Sequence, residues 1–195
     1  MRLPTHLASL LALSFALAAC GGSGEEVLLG SPLTAEERRY FEDGVDFVAD
    51  PESLEGQWRR DWSQELDQRV RRADVIAYVT IQTVRTDQDL DRRTTMRLFP
   101  RAERNLVGEL PEDVVLRSRE GEMGFGTLEG NEPRLLNQEF VLFLKWDRPE
   151  GATEARPAWH LSPQVEQVTS RTEYLIERRR EIQVRERGRV IVHEN

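Results

Sequence analysis

The sequence predicts an α+β fold, in which an antiparallel sheet or small barrel is packed by N-terminal and C-terminal helices. Three observations predict it. Apolar residues recur at helical spacing before residue 73, and β-branched strand-like runs follow up to residue 161 without an intervening helix. A second helical stripe begins near residue 162. Strands that follow one another without helices between them favour antiparallel pairing.

The N-terminal segment has the properties of an export signal. Arg2 gives a cationic start, and residues 7–19 are apolar except for two serines. A helix of that length, at about 1.5 Å per residue, is too short for the roughly 30 Å hydrocarbon core of a bilayer. The segment ends in Leu17-Ala18-Ala19-Cys20, which resembles the lipobox of a bacterial lipoprotein. This resemblance implies diacylglycerol on the Cys20 thiol, cleavage before Cys20, and acylation of the new amine by a fatty acid such as palmitate.

The alternative is an ordinary signal peptide with a chance cysteine, since both types end in small residues. Cys20 is the only cysteine of the chain, whereas a disulfide-stapled secreted domain carries an even set. Lipidation is therefore the favoured interpretation. Gly21 stands where an aspartate would retain a lipoprotein in the inner membrane, so the resemblance implies the outer membrane, facing the periplasm or the cell surface.

Charge argues against nucleic acid as a partner. Arg2 is the only charged side chain of residues 1–19, so the rest of the chain carries 26 basic and 35 acidic residues, a net charge of −9. An acidic surface repels phosphate backbones. The expected partners are the membrane, through the lipid on Cys20, and an envelope protein or ligand that the sequence does not identify.

Composition divides the chain into three parts. Residues 1–19 are a lipoprotein signal peptide, and residues 20–33, rich in glycine and serine, are a flexible tether. Residues 34–195 form a single globular domain, with N-terminal helices in 34–72, a β-rich core in 73–161, and a C-terminal helix and tail in 162–195.

Two helix starts are predicted in the N-terminal part. Thr34 and Glu37 have the spacing of a capping box, and Asp50-Pro51 is a second start signal. The residues Trp58, Trp62, Leu66 and Val70 recur every four positions and share one helical face. The tryptophan pair has the spacing of a sugar-stacking platform, but burial in the core is the favoured interpretation, because large aromatic side chains dominate buried contacts.

A long strand is predicted from Ala73 to Val84, because apolar β-branched residues alternate along it. The aspartates of residues 87–91 resemble the start of a calcium loop. That loop needs glycine at its sixth position and glutamate at its twelfth, where this chain has Arg92 and Leu98. Residues 87–91 are therefore interpreted as a hairpin tip leading into a second strand over residues 94–102.

The middle of the chain is predicted to contain a turn at residues 108–111, a third strand beginning at 114–116, and an irregular glycine-punctuated loop over residues 121–130. Gly124-Phe125-Gly126 lacks the spacing and the following lysine of a phosphate-binding loop. The run Phe140–Leu144 is continuously apolar and predicts a central strand buried on both faces.

A polar loop over 147–157 and a short strand over 158–161 precede the last helix. That helix is predicted to begin at Ser162-Pro163. Its expected buried residues are Val165, Val168, Thr172, Leu175 and Ile182. The pattern of residues 182–192 is compatible with helix, with a hairpin, or with a final strand at 190–192.

Residues 73–180 resemble the netrin-type, tissue-inhibitor-of-metalloproteinase-like OB barrel. The resemblance rests on Ala73-Asp74-Val75, on Leu106–Pro111 leading into Val114–Leu116, and on Asn137–Glu139 leading into Phe140–Leu144. It implies an OB-like barrel. Those inhibitors bind zinc through a free N-terminal cysteine amine, which acylation of Cys20 would remove, so inhibition is not implied.

No catalytic, cofactor-binding or metal-binding residue is predicted, and lipidation of Cys20 is the only assigned site. His160 and His193 are the only histidines beyond the signal, and a hydrogen-bonded structural role is favoured for His160. The expected function is that of a non-enzymatic, lipid-anchored binding or structural domain. The alternative is an envelope hydrolase that uses a pair of Asp or Glu carboxylates.

Overall fold

The computed structural model describes residues 30–88 and 90–193, with side chains described as far as residue 185. The predicted signal peptide and Cys20 lie outside this part of the chain. The elements in chain order are α1 (Ala35–Tyr40), β1 (Gly44–Val45), a 3₁₀ turn (Pro51–Ser53), α2 (Gly56–Arg72), β2 (Val75–Gln88), β3 (Thr94–Val107), β4 (Leu116–Arg119), α3 (Phe125–Leu128), α4 (Glu132–Leu135), β5 (Glu139–Asp147), β6 (Arg156–Pro163) and α5 (Glu166–His193).

The six strands form one curled sheet in the order β1-β6-β5-β2-β3-β4. Every pairing is antiparallel except that of β1 with β6, which is parallel. The sheet curls until β4 approaches β6, although no ladder joins these two strands among the described residues. This half-barrel with helices at both ends confirms the predicted α+β class and is compatible with an OB-like barrel.

Two hydrophobic clusters lie on the two faces of the sheet. The inner cluster fills the half-barrel with side chains from β2, β3, β5 and β6. The outer cluster joins the sheet to α1, α2 and α5. On β5, Phe140, Leu142 and Leu144 belong to the inner cluster, while Val141 and Phe143 belong to the outer one. The predicted central strand, buried on both faces, is therefore confirmed.

The N-terminal helices begin where expected, with one correction. Thr34 and Glu37 form the capping box that starts α1. Asp50 caps only the 3₁₀ turn, and α2 starts independently at Gly56. Trp62, Leu66 and Val70 are buried as predicted, but Trp58 is 77% exposed. The core prediction was wrong for Trp58, because the first turn of α2 extends past the sheet that the later turns cover.

The strands of the first hairpin are longer than predicted. β2 continues to Gln88, and β3 continues to Val107, five residues beyond the predicted range of 94–102. Strand β4 begins at Leu116, two residues later than expected. The glycine-punctuated segment contains the short helix α3, and α4 follows it. Both helices bury leucines, Leu128 and Leu135, which close one end of the half-barrel.

The C-terminal helix also differs from the sequence interpretation. Ser162 and Pro163 belong to β6, where they pair with Val141 and Phe140. Helix α5 therefore begins only at Glu166. Val168, Thr172 and Leu175 are buried as expected, whereas Ile182 is 43% exposed because it lies beyond the sheet. The backbone stays helical to His193, so the hairpin and strand alternatives for residues 182–192 are wrong.

The last residues of the predicted tether contact the folded part. Leu33 is buried in the outer cluster. Ser31 forms an isolated parallel bridge with Asp147. Gly30 has φ +79, and a Cβ atom there would lie 2.6 Å from the carbonyl oxygen of Trp146, a distance that sterics forbid. Within the described residues, no helix has the length and apolarity needed to cross a bilayer.

Candidate functional site

An open cleft of about 820 Å³ lies where β4 approaches β6 without pairing. We call it the seam cleft. Its walls come from β3, β4, the segments before and after β4, the end of β5 and the start of β6. Its charged residues are the arginines Arg97, Arg117, Arg119 and Arg156 and the acids Asp43, Asp113, Glu122 and Glu154; the wall also includes Pro111, Val114, Trp146 and Pro157. The volume lies in the range of small-molecule sites, about 300–1,000 Å³.

Trp159 of β6 forms hydrogen bonds to two residues that line the seam cleft, Asp43 and Arg117. Its backbone N–H donates to Oδ1 of Asp43 at 3.0 Å, and its carbonyl accepts the backbone N–H of Asp43 at 2.9 Å. Its indole Nε1–H donates to the carbonyl of Arg117 at 3.1 Å. The backbone of Trp159 thus joins β6 to the segment before β1 and fixes Asp43, while its buried side chain joins β6 to the Arg117 backbone of β4.

Asp43 is the most perturbed acid of the cleft. Its backbone lies in the left-handed region, with φ 58, which Asp tolerates better than most residues. Burial raises the pKa of Asp43 to about 8, and the nearby carboxylates of Glu122 and Asp147 add to this, although the Trp159 hydrogen bond and Arg156 act against it. Asp43 is therefore mostly protonated at neutral pH and offers a hydrogen-bond donor in the cleft.

Arginines from three neighbouring strands face one another outside the half-barrel. Arg97 of β3 is in register with Arg85 of β2 on one side and with Arg117 of β4 on the other. Like charges directly opposite each other destabilise a sheet. Arg97 forms an ion pair with Asp87. The Arg117 guanidinium has no hydrogen bond or ion pair within residues 30–88 and 90–193, so its charge is available to a ligand.

Arg156 is fixed by a buried carboxylate. Asp147 is fully buried, and its Oδ2 accepts two hydrogen bonds of 3.1 Å from Arg156 and one of 3.4 Å from Arg38. Its Oδ1 accepts the backbone N–H of Leu33 at 3.0 Å. Arg156 is 59% exposed, so only the Asp147 carboxylate depends on these bonds, and loss of its arginine partners would leave a buried charge uncompensated. Asp147 therefore links the start of the folded part to one wall of the cleft.

His160 lies outside the cleft, and it is buried and hydrogen-bonded, as the sequence interpretation expects. Its Nε2–H donates to Oδ2 of Asp46 at 3.0 Å. Burial and the neighbouring Arg69 lower the pKa of His160 to about 4, against the opposing effect of Asp46. Ser162 donates to the same Oδ2 at 2.7 Å. Since both residues bond to Asp46 rather than to each other, the histidine does not activate the hydroxyl as a nucleophile.

Asp46 stays ionised in this cluster. Burial alone would raise the pKa of Asp46, but the hydrogen bonds from His160 and Ser162, together with the charge of Arg69, outweigh that effect and lower it. Arg69 is itself buried and donates to the carbonyl of Tyr40 and to Glu65. The cluster joins α2 to β6 beneath the outer hydrophobic cluster.

The described residues contain no group of three or more His, Cys, Asp or Glu side chains placed to hold a metal ion. Sequence reasoning did not find the seam cleft. Its members come from segments as far apart as Asp43 and Arg156, and each alone has the appearance of a surface charge. The left-handed Asp43 carries no pattern that reveals its conformation. Cys20, the predicted lipidation site, lies outside the described residues.

Comparison with protein-family models and with curated proteins finds no match to this chain.

Proposed function

We propose that this chain is a non-enzymatic, lipid-anchored protein of the cell envelope, attached to the outer membrane through Cys20. The support for the anchor is the short apolar segment that ends in Leu17-Ala18-Ala19-Cys20. A single acyl chain binds a membrane only marginally, at about 0.8 kcal/mol per buried methylene, and a second makes attachment stable. The lipid of a lipoprotein therefore needs no membrane-binding surface on the folded domain. The resemblance to the netrin-type family supports an OB-like barrel and does not extend to inhibition of a metalloproteinase.

The domain would bind an anionic group of another envelope component in the seam cleft. The observation that carries this proposal is the Arg117 guanidinium, which lies beside Arg97 and has no hydrogen bond or ion pair among the described residues. It lies in a cleft at the surface of a half-barrel whose interior is already filled. A planar guanidinium binds carboxylate or phosphate through two parallel hydrogen bonds. Protonated Asp43 adds a donor to the same site. An anion bound there would also reduce the repulsion between Arg97 and Arg117, which lie opposite each other on β3 and β4.

The indole N–H signals of the tryptophans provide the test. Trp146 lies in the wall of the seam cleft, whereas Trp58 does not. The lipidated protein in neutral detergent, labelled with ¹⁵N, is titrated with inorganic phosphate, with glucuronate and with uncharged glucose. We expect a saturable shift of the Trp146 signal with an anionic probe and none with glucose.

Arg117→Ala should weaken that anion binding by about tenfold or more, because a hydrogen bond to a charged group contributes about 1.5–3 kcal/mol. Arg60→Ala is the matched control, since Arg60 is exposed and its hydrogen bonds within the described part of the chain go to Gln57 of its own helix. No saturable shift with either anion, or equal affinity in Arg117→Ala, would contradict the proposal.

A hydrolase is the second candidate, and the raised pKa of Asp43 is the observation that favours it. A protonated Asp43 has the state of a general acid, and Glu122 supplies a second carboxyl to the same cleft. Incubation with purified envelope glycans, followed by measurement of released reducing ends, separates the candidates. Release that is lost in Asp43→Asn supports the hydrolase, and no release from the wild type supports the binding protein.

A further inference from the structure

A second concave surface differs from the seam cleft in the chemistry of its lining residues. It is a groove of about 370 Å³ between α1, the 3₁₀ turn and the first half of α2. We call it the α2 groove. Its aromatic wall consists of Tyr40, Trp58 and Trp62, and its polar wall includes Asp61, Gln64 and Glu65. We propose that the α2 groove binds a neutral saccharide, with Trp58 as the stacking surface.

The exposure of Trp58 is the first observation. Its side chain is 77% exposed, while Trp62, one turn later on the same helix, is 9% exposed. A single exposed aromatic ring is common on protein surfaces, but this ring borders a groove that polar side chains also line. The two rings thus differ in role: Trp62 belongs to the outer hydrophobic cluster, and Trp58 leaves its ring open to a ligand.

The ring of Trp62 is the second observation. Trp62 lines the groove beside Trp58, and its Nε1–H is buried without a hydrogen-bond partner among the described residues. That nitrogen is closed to water-sized atoms, so a ligand in the groove contacts the ring of Trp62 and does not accept this bond.

The polar wall matches the hydroxyl groups of a sugar. Asp61 and Glu65 are acceptors, and Gln64 is both a donor and an acceptor. Glu65 already accepts a hydrogen bond of 3.1 Å from Arg69, and Asp61 accepts one from Gln57. These bonds hold the carboxylates in place before a ligand arrives. A pyranose ring presents apolar C–H faces and a rim of hydroxyls, and these two features match the aromatic and polar side chains that α2 places next to each other in the groove.

Charge and size favour a saccharide over a membrane or a protein. The two carboxylates outnumber the single cation of the groove, Arg39, so the groove disfavours an anionic lipid surface. A stable protein interface buries about 1,200–2,000 Å², which a groove of this size with one open aromatic ring does not supply. This inference does not depend on the seam cleft or on its ligand.

The test uses the full lipidated protein, labelled with ¹⁵N, in neutral detergent. It is titrated with cellobiose and with chitobiose, two neutral disaccharides that differ in their N-acetyl groups. We expect the Trp58 and Trp62 indole signals to shift saturably with at least one disaccharide while the Trp146 signal stays in place. An anion-dependent shift of Trp146 alone would belong to the seam cleft, so the two proposals fail separately.

Substitution then identifies the stacking ring. Trp58→Ala should weaken disaccharide binding by about tenfold or more, and Trp58→Phe should retain part of it. Since Trp58 is exposed, both variants should fold, as the unchanged indole signal of Trp159 will report. Tyr174→Ala is the control, because Tyr174 is an exposed aromatic residue on α5. No shift with either disaccharide, an equal affinity in Trp58→Ala, or a Trp58 shift seen only with phosphatidylglycerol vesicles would overturn the inference.

Discussion

Trp159 and Asp43 exchange two hydrogen bonds, one from each backbone N–H, with lengths of 3.0 and 2.9 Å. The Asp43 side chain thereby accepts a bond that a strand carbonyl would otherwise accept. This extends the pairing of β1 with β6 by one residue before β1 begins. The same tryptophan reaches across the seam to the carbonyl of Arg117. A single pair of residues therefore couples closure of the half-barrel to the position of the most perturbed acid in the seam cleft.

The titration of Asp43 predicts how stability changes with pH. Its pKa is raised from 3.8 to about 8, so the folded state holds a proton that the unfolded state releases. Stability from this group is therefore present at low pH and is lost as pH rises toward 8. His160 acts in the opposite direction, but only between its folded pKa of about 4 and its ordinary value of 6.5. The effect of His160 is therefore complete above pH 6.5. Burial also raises the pKa of Glu42, so the contribution of Asp43 is the difference between the wild type and a variant that lacks the Asp43 carboxyl.

We predict that the free energy of unfolding of the wild type falls between pH 6.5 and pH 8, with a slope of up to about 1.4 kcal/mol per pH unit. Asp43→Asn should remove the Asp43 contribution to this slope, because asparagine accepts the same Trp159 hydrogen bond, tolerates the left-handed backbone and does not titrate. Urea unfolding at pH 6.5, 7.2 and 8 measures both proteins. Parallel curves for the two would show that Asp43 is already ionised.

Trp159→Phe tests the bond across the seam. The phenyl ring keeps most of the buried contact but leaves the Arg117 carbonyl without its indole donor. We predict a loss of about 1–3 kcal/mol in the free energy of unfolding, from the lost hydrogen bond and from the space that the smaller ring leaves in the core. Trp58→Phe is the matched control at an exposed position, where surface substitutions stay within about 0.5 kcal/mol. Equal stability of the two variants would mean that the indole bond contributes nothing.

Leu142→Ala tests the central strand. Leu142 is fully buried in the inner cluster, so its truncation should remove both transfer energy and packing, at a cost of about 2–5 kcal/mol. Val184→Ala is the control, since Val184 is exposed on α5 and should change stability by less than about 0.5 kcal/mol. An unchanged denaturation midpoint for Leu142→Ala would contradict burial of β5 on both faces.

Truncation at the N-terminus separates the tether from the folded part. A chain beginning at Ser31 keeps Leu33 and its hydrogen bond to Asp147, lacks cysteine, and should unfold cooperatively with or without reductant. A chain beginning at Thr34 loses the buried Leu33 side chain and leaves Asp147 short of one donor, which we expect to cost about 2–5 kcal/mol. Thermal melts compare them. Identical melting temperatures would place Leu33 outside the core.

The sequence predicted those elements whose cause is local. The Thr34 capping box, the alternation along β2 and the unbroken apolar run of β5 each depend on neighbouring residues alone. The position of Trp58 depends instead on where the sheet beneath α2 ends, and helical periodicity carries no information on that. The juxtaposition of Arg97 and Arg117 depends on the register of β3 and β4, and the contact between Asp43 and Trp159 forms only in the folded sheet. The seam cleft therefore required the tertiary structure.

The central claim, attachment to the envelope through Cys20, is tested most directly by metabolic labelling. Cells expressing the wild type or Cys20→Ser are grown with a clickable fatty acid, and the protein is isolated and examined for label. We predict label on the wild type and none on Cys20→Ser, whose product should be unprocessed or soluble. Equal labelling of the two proteins, or no labelling of the wild type, would contradict the account.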